Sequence, residues 1–176
     1  MTHRTLVLLR HAKSDWPDGV PDHERPLASR GRRDAPAMGR WLRAEGCGPD
    51  HVVCSTAVRT RQTWELVRSE LDGHPKTVFE ARAYAASTRE LADLVTDTPA
   101  AAKTLLLISH NPGIEDLALT LAADATSAKH GQTDDLDRMR AKFPTAAIAV
   151  FEWSGGWDRH SLRTARLTRF VTPRDL

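Results

Sequence analysis

The sequence predicts an α/β layered domain with a mixed sheet, on three observations. Short apolar runs at residues 5–10, 51–55, 77–80, 104–109, 147–152 and 165–171 have strand length and composition. Helix-like runs alternate with the first four, the βαβα rhythm of a sheet covered by helices. The last two runs are separated only by the turn Ser154-Gly155-Gly156 and residues 157–161. That spacing predicts a C-terminal hairpin, and so a mixed sheet.

The elements follow in order. LVLLRHAKS, residues 6–14, is too short for a helix and ends abruptly in Arg10 and His11. In open α/β sheets ligands bind at such carboxyl ends. Residues 30–45 place Ala35, Met38 and Leu42 on one helical face, with Gly46 as a C-cap. Pro36 weakens the start of that helix. HVVCS, residues 51–55, is the next strand. A helix over 57–72 carries Thr60, Trp64, Val67 and Leu71 in one stripe, with Gly73 after it. Ser87 and Glu90 form a capping box ahead of Leu91, Leu94 and Val95. TLLLISHNPG, residues 104–113, repeats the first design: an apolar strand that ends in His110. Asn111 reads as an N-cap and Pro112 as the first helical residue, with Ile114, Leu117, Ala118 and Leu121 as the buried face. Residues 124–142 are polar and read as a solvated loop with one short helix.

Bulk properties narrow the function. A chain of 176 residues suits one domain, 1–176, around one sizeable core. Forty per cent hydrophobic and 27% charged is ordinary for a globular protein. The net charge is +2 and the arginines are scattered, which argues against a nucleic-acid partner. LVLL falls short of a secretory apolar region, and no stretch approaches a membrane span. A cytoplasmic protein with no membrane partner is therefore expected. Cys47 and Cys54 have neither metal-ligand spacing nor a disulfide framework, and Cys54 reads as a small buried hydrophobe.

Two strands of one parallel sheet would deliver His11 and His110 to the same edge. A third segment, CSTAVRTRQT at residues 54–63, puts Arg59 near the first turn of a helix. A cation there opposes the helix dipole at a cost of about 0.3–1 kcal/mol, so an arginine in that place suits an anion. Taken singly, each segment is ordinary surface chemistry; together they describe a phosphate pocket. Arg10 and Arg59 can clamp phosphoryl oxygens with forked donors. His110 can donate to the same oxygens, and the helix start at Asn111 adds to the anion site. His11, if neutral, can attack phosphorus. There is no Walker-type glycine loop.

These segments resemble a known family. LLRHAKS resembles the RHG-type signature of the histidine phosphatase superfamily, with Ala12 where glycine is usual. CSTAVRTRQT resembles its S-P-x-x-R-A-x-Q-T segment, with Thr56 for proline and Thr60 for alanine. SHNPGIEDL resembles its second-histidine segment. ERPLASRG, residues 24–31, resembles the R-P-L-[ST]-x-x-G run of its small SixA-like branch. The resemblance implies His11 as a phosphorylated nucleophile, with Arg10, Arg59 and His110 as the phosphate pocket. It also implies a three-layer α/β/α sandwich around a mixed, mostly parallel sheet, and no metal or organic cofactor. Asn111 is counted with the substrate-binding residues.

One departure concerns the general acid. Larger members place a glutamate a few residues before the position of Tyr84, where this chain has Ala81. Glu80 is one residue off, which turns it to the other face of a strand. Asp15, Asp22, His23 and Glu24 are the alternatives from the loop after the first strand.

The expected function is a phosphatase acting on phosphohistidine in proteins. The chain has no long insertion to close over a small substrate. A missing strong acid suits a leaving group that departs easily, as imidazole does. The alternatives are a phosphatase of small phosphomonoesters, which would need a loop carboxylate as acid, and a phospho-ligand binding module without catalysis. The retained His11 argues against the last.

Overall fold

The computed structural model describes residues 2–124 and 133–176. Six strands form one sheet: β1 (His3–Arg10), β2 (His51–Ser55), β3 (Lys76–Glu80), β4 (Thr104–Ser109), β5 (Ile148–Ser154) and β6 (Arg166–Val171). Their spatial order is β3-β2-β4-β1-β5-β6. The first four are mutually parallel, while β5 runs antiparallel to both β1 and β6.

Helices cover both faces. On one side α1 (Ser29–Ala44) and α2 (Val58–Arg68) pack Met38, Leu42, Trp64 and Val67 against Val7, Leu9, Val52, Cys54, Leu106 and Ile108. On the other, α3 (Thr88–Thr96), α4 (Gly113–Asp124) and α5 (Thr133–Ala141) cover Leu6, Leu8, Val53, Leu105 and Leu107. Neighbours along β1 thus point to opposite cores, as the two-residue strand period requires. Leu6, Val7, Leu8 and Leu9 are fully buried. Each such side chain contributes roughly 1.5–3 kcal/mol, which fixes β1 in the centre of the sheet. The three-layer sandwich around a mixed sheet is therefore observed.

Four details depart from the sequence reading. Pro36 sits inside α1 without ending it, so the packed apolar face outweighs the lost hydrogen bond. The helix expected over 57–72 stops at Arg68. β5 and β6 are antiparallel neighbours, but their link contains a short helix, α6 (Arg159–Leu162), rather than a turn alone. In the polar stretch 124–142, residues 125–132 lie outside the described residues. The rest holds the one short helix expected, α5, but packed rather than solvated: it buries Met139, and Arg138 donates to Asp175 at 2.6 Å and to the Phe170 carbonyl at 3.4 Å. Its few apolar residues are dispersed among charges, which hid the buried face.

Two close approaches set the helices against the strand ends. Gly31 of α1 lies against the backbone of Lys13, and Gly113 of α4 against the carbonyl of Ala86. No described helix is long and apolar enough to cross a membrane.

Candidate active site

β1 and β4 are paired in register, with Arg10 opposite Ser109. The residues that follow them, His11 and His110, therefore emerge side by side, with ring centroids 5.2 Å apart. Each is only 7% exposed.

The two rings are held by different nitrogens. His11 Nδ1 donates to the carbonyl of Ala12 at 2.8 Å, which leaves the Nε2 lone pair free. Ala12 is itself fixed, its N–H donating to Thr63 Oγ1 at 3.0 Å. His110 Nε2 lies 2.7 Å from Ser55 Oγ. Ser55 accepts from the amide of Ala57 at 3.4 Å, so its hydroxyl proton is free to go to His110. With that proton on the Ser55–His110 bond, the ring proton of His110 is on Nδ1. Burial pushes both imidazoles down to about 3, and the cations Arg10 and Arg59 push the same way. Both histidines are therefore neutral near pH 7.

The arginines complete the wall. Arg10 donates to the Phe143 carbonyl at 3.0 Å. The same carbonyl accepts from Asn111 Nδ2 at 3.1 Å. Burial lowers the Arg10 pKa; nearby Glu115 opposes this and Arg59 adds to it. Arg59 is buried at the start of α2 and donates to Asp22 twice, to its carbonyl at 2.6 Å and its carboxylate at 3.1 Å. Arg61, by contrast, is exposed and lies over the Phe79 ring, 5.2 Å from its centroid.

All five residues expected from the sequence thus gather at one sheet edge. Among the described residues, five buried side-chain atoms have no hydrogen-bond partner: Arg10 Nε, Arg59 Nε, His110 Nδ1, Asn111 Oδ1 and Thr98 Oγ1. The first three can act as donors and belong to this wall. Buried donors are normally satisfied, so three together describe a receptor for an oxyanion.

One expectation about Asn111 is corrected. It is not an N-cap, and Pro112 is not in the helix, because α4 begins at Gly113. The Asn111 side chain donates instead to Glu115 at 2.8 Å and to Phe143. Two acceptors off the helix axis draw the amide away from the capping geometry.

The acid candidates separate clearly. Glu80 accepts from the backbone and side chain of Arg82, away from the histidines. Asp15 accepts from the Trp16 amide. Asp22 takes hydrogen bonds from Tyr84 (2.6 Å), Arg25 (2.9 Å) and Arg59 (3.1 Å). The Tyr84 hydroxyl, with the two guanidiniums, holds its carboxyl well below the usual range. Glu24 lies 2.9 Å from His23 Nδ1.

Sequence reasoning missed three wall residues. Ser55 was visible at the end of β2, in a quoted motif, but its partner is 55 positions away. Tyr84 stands edge-on to both His23 and His110, at 4.8 and 5.5 Å. Arg25 is buried and ties the loop together through the Asp15 carbonyl, Ser14 and Asp22.

The family model for the histidine phosphatase superfamily, branch 1, matches residues 6–83. A solved Nakamurella multipartitia structure, provisionally named phosphohistidine phosphatase SixA, is 32% identical. It covers 98% of both chains with a TM-score of 0.84. The chain belongs to branch 1 of the histidine phosphatase superfamily. An uncharacterised protein of Mycobacterium tuberculosis H37Rv is 38% identical over 170 residues, which is 94% of this chain and all of that relative. The fold also matches a histidine phosphatase SixA solved with tungstate. There the identity is 20%, the TM-score 0.76, and the coverage 97% of this chain and 98% of that one.

Proposed function

We propose that this superfamily member is a phosphatase that removes the phosphoryl group from phosphohistidine in proteins, through a phosphohistidine intermediate at His11. The observation that carries the reading is the set of unpartnered buried donors, Arg10 Nε, Arg59 Nε and His110 Nδ1, beside a histidine with a free Nε2.

In the first step the His11 Nε2 lone pair forms a bond to phosphorus, and the bond to the leaving nitrogen breaks with its electron pair. Neutral His11 needs no deprotonation first. The three donors meet the charge that spreads over the equatorial oxygens; one such donor is typically worth 10²–10³ in rate. In the second step water attacks phosphorus and the electron pair returns to Nε2.

The leaving group supports phosphohistidine over alkyl esters. Ala81 carries no acid, and Asp22 is held ionised by three donors. An alkoxide without a proton donor leaves slowly, by about 10²–10⁴-fold. The provisional name of the Nakamurella relative points to the same substrate.

The test is a comparison of kcat/KM on a phosphohistidine peptide, nitrophenyl phosphate and a sugar phosphate. The first two should far exceed the third. Comparable values on the peptide and the sugar phosphate would overturn the reading and favour a small-molecule phosphatase.

A further inference from the structure

The helix that supplies Arg59 has a second face that the chemistry does not use. Val58, Arg61, Glu65 and Arg68 of α2 follow a three-four-three spacing, which is one stripe of a helix. Arg59 and Thr63 lie on another face, the one turned to Asp22 and to Ala12. The stripe forms one bank of a groove of about 430 Å³. Thr77 and Phe79 of β3 form the other bank, and Gln62 and Trp64 complete the lining.

The groove is apolar at its centre and basic along one bank. β3 is an edge of the sheet. Phe79 pairs in register with Cys54, which belongs to the core under α1 and α2, so Phe79 points to the same side. Phe79 is 49% exposed, and the Arg61 guanidinium lies over its ring at 5.2 Å. Other arginines nearby in sequence are paired: Arg40 with Glu70, Arg43 with Asp72, Arg59 with Asp22, Arg82 with Glu80. Arg61 and Arg68 have no carboxylate partner among the described residues, although Glu65 lies one turn from each. They stand about 10 Å apart along the helix axis.

The groove adjoins the phosphate pocket. Val58 directly precedes Arg59. At the other bank, β3 runs through the 3-10 turn Ala81–Ala83 to Tyr84, which donates to Asp22 at 2.6 Å.

We propose that this groove docks the protein that carries the phosphohistidine, through a segment with an apolar side chain between two carboxylates; the proposal rests on the phosphatase reading above. The apolar side chain packs on Phe79, and the carboxylates pair with Arg61 and Arg68. Aromatic and arginine side chains are the usual anchors of protein interfaces. A twofold contact between two copies would instead set the groove against itself, with two guanidiniums to one carboxylate on each side. A nucleic acid would bring its phosphates onto Glu65. The groove acts on binding rather than on chemistry, so it separates a protein substrate from a small phosphate with the same leaving group.

The experiment uses a phosphohistidine peptide flanked by alternating glutamate and leucine, the same peptide with lysine for each glutamate, and nitrophenyl phosphate. On the unaltered protein the glutamate peptide should have the lower KM, by about tenfold. Arg61→Glu/Arg68→Glu should reverse that order. Phe79→Ser should raise KM for the glutamate peptide severalfold and leave kcat unchanged. Neither variant should alter kcat/KM on nitrophenyl phosphate, which is too small to reach the groove; that result also shows that each variant is folded. An unchanged order of the two peptides in the charge-reversed protein, or an equal loss on nitrophenyl phosphate, would overturn the proposal. So would a dimer, seen by sedimentation of the unaltered protein, that Phe79→Ser dissociates, because the groove would then hold a second copy. The outcomes are separable from those of the function itself. If the unaltered protein does not prefer the glutamate peptide to a sugar phosphate, the phosphatase reading has failed. If it does and the variants leave the peptide KM values unchanged, only the docking groove has failed.

Discussion

The ends of β1 and β4 are built alike and work differently. Both are central parallel strands, both are followed at once by a histidine, and both rings are buried to the same degree. The difference lies in which nitrogen the protein holds. At the β1 end the neighbouring backbone takes Nδ1 and leaves Nε2 with a lone pair. At the β4 end a serine from a third strand, β2, takes Nε2 and leaves Nδ1. In the proposed function the first placement serves a nucleophile and the second a donor. The hydrogen bond behind each ring, rather than the ring's position, sets its chemistry.

That contrast can be broken or sharpened. His11→Ala should cost the most, on the order of 10⁴-fold or more in kcat, with no acid-labile phosphoenzyme and an unchanged circular dichroism spectrum. Retention of more than a few per cent of activity would remove the covalent mechanism. His110→Ala should cost less, about 10²–10³-fold, and rapid-quench experiments should still trap phosphoenzyme. Loss of the phosphoenzyme there would mean that the two rings do not divide the work as proposed. Ser55→Ala frees His110 from its tautomer and removes one hydrogen bond, worth about 1–1.5 kcal/mol, or roughly tenfold in kcat. A larger loss at Ser55 than at His110 would contradict the order.

A further effect is on stability. Both histidines ordinarily titrate at 6.5 but are held to about 3 in the folded protein. Below 6.5 the unfolded chain therefore binds protons that the folded chain does not, and stability falls as pH drops from 6.5 toward 3. Replacing both histidines by Asn should flatten the decline of Tm over that window. An unaltered slope would show that burial does not hold the rings neutral.

The sheet was legible because its strands are continuous apolar runs, and the site because Arg10, His11 and His110 sit at the ends of two of them. Arg59 was legible from a helix start that disfavours a cation. The loop partners were not. Asp22, Tyr84 and Ser55 are polar residues with no periodic pattern, and their meaning comes from partners 37, 62 and 55 positions away. Asn111 misled because its side chain satisfies an N-cap rule locally, while Glu115 and the Phe143 carbonyl compete for the same amide in three dimensions. The short helix α5 was expected, but its packing was not legible, because one fully buried methionine, Met139, among many charges leaves almost no amphipathic signal.

The approach of Gly31 to Lys13 has a consequence for anyone who would engineer this chain. Replacing a helical glycine by alanine ordinarily stabilises a protein by about 0.4–1 kcal/mol. At Gly31 the added Cβ would stand 2.2 Å from the Lys13 carbonyl oxygen, a backbone atom that cannot swing aside. Lys13 follows Ala12, whose carbonyl holds the His11 ring. The helix and the His11 ring are therefore not independent modules. A substitution chosen to harden α1 would instead strain the segment that holds the His11 ring.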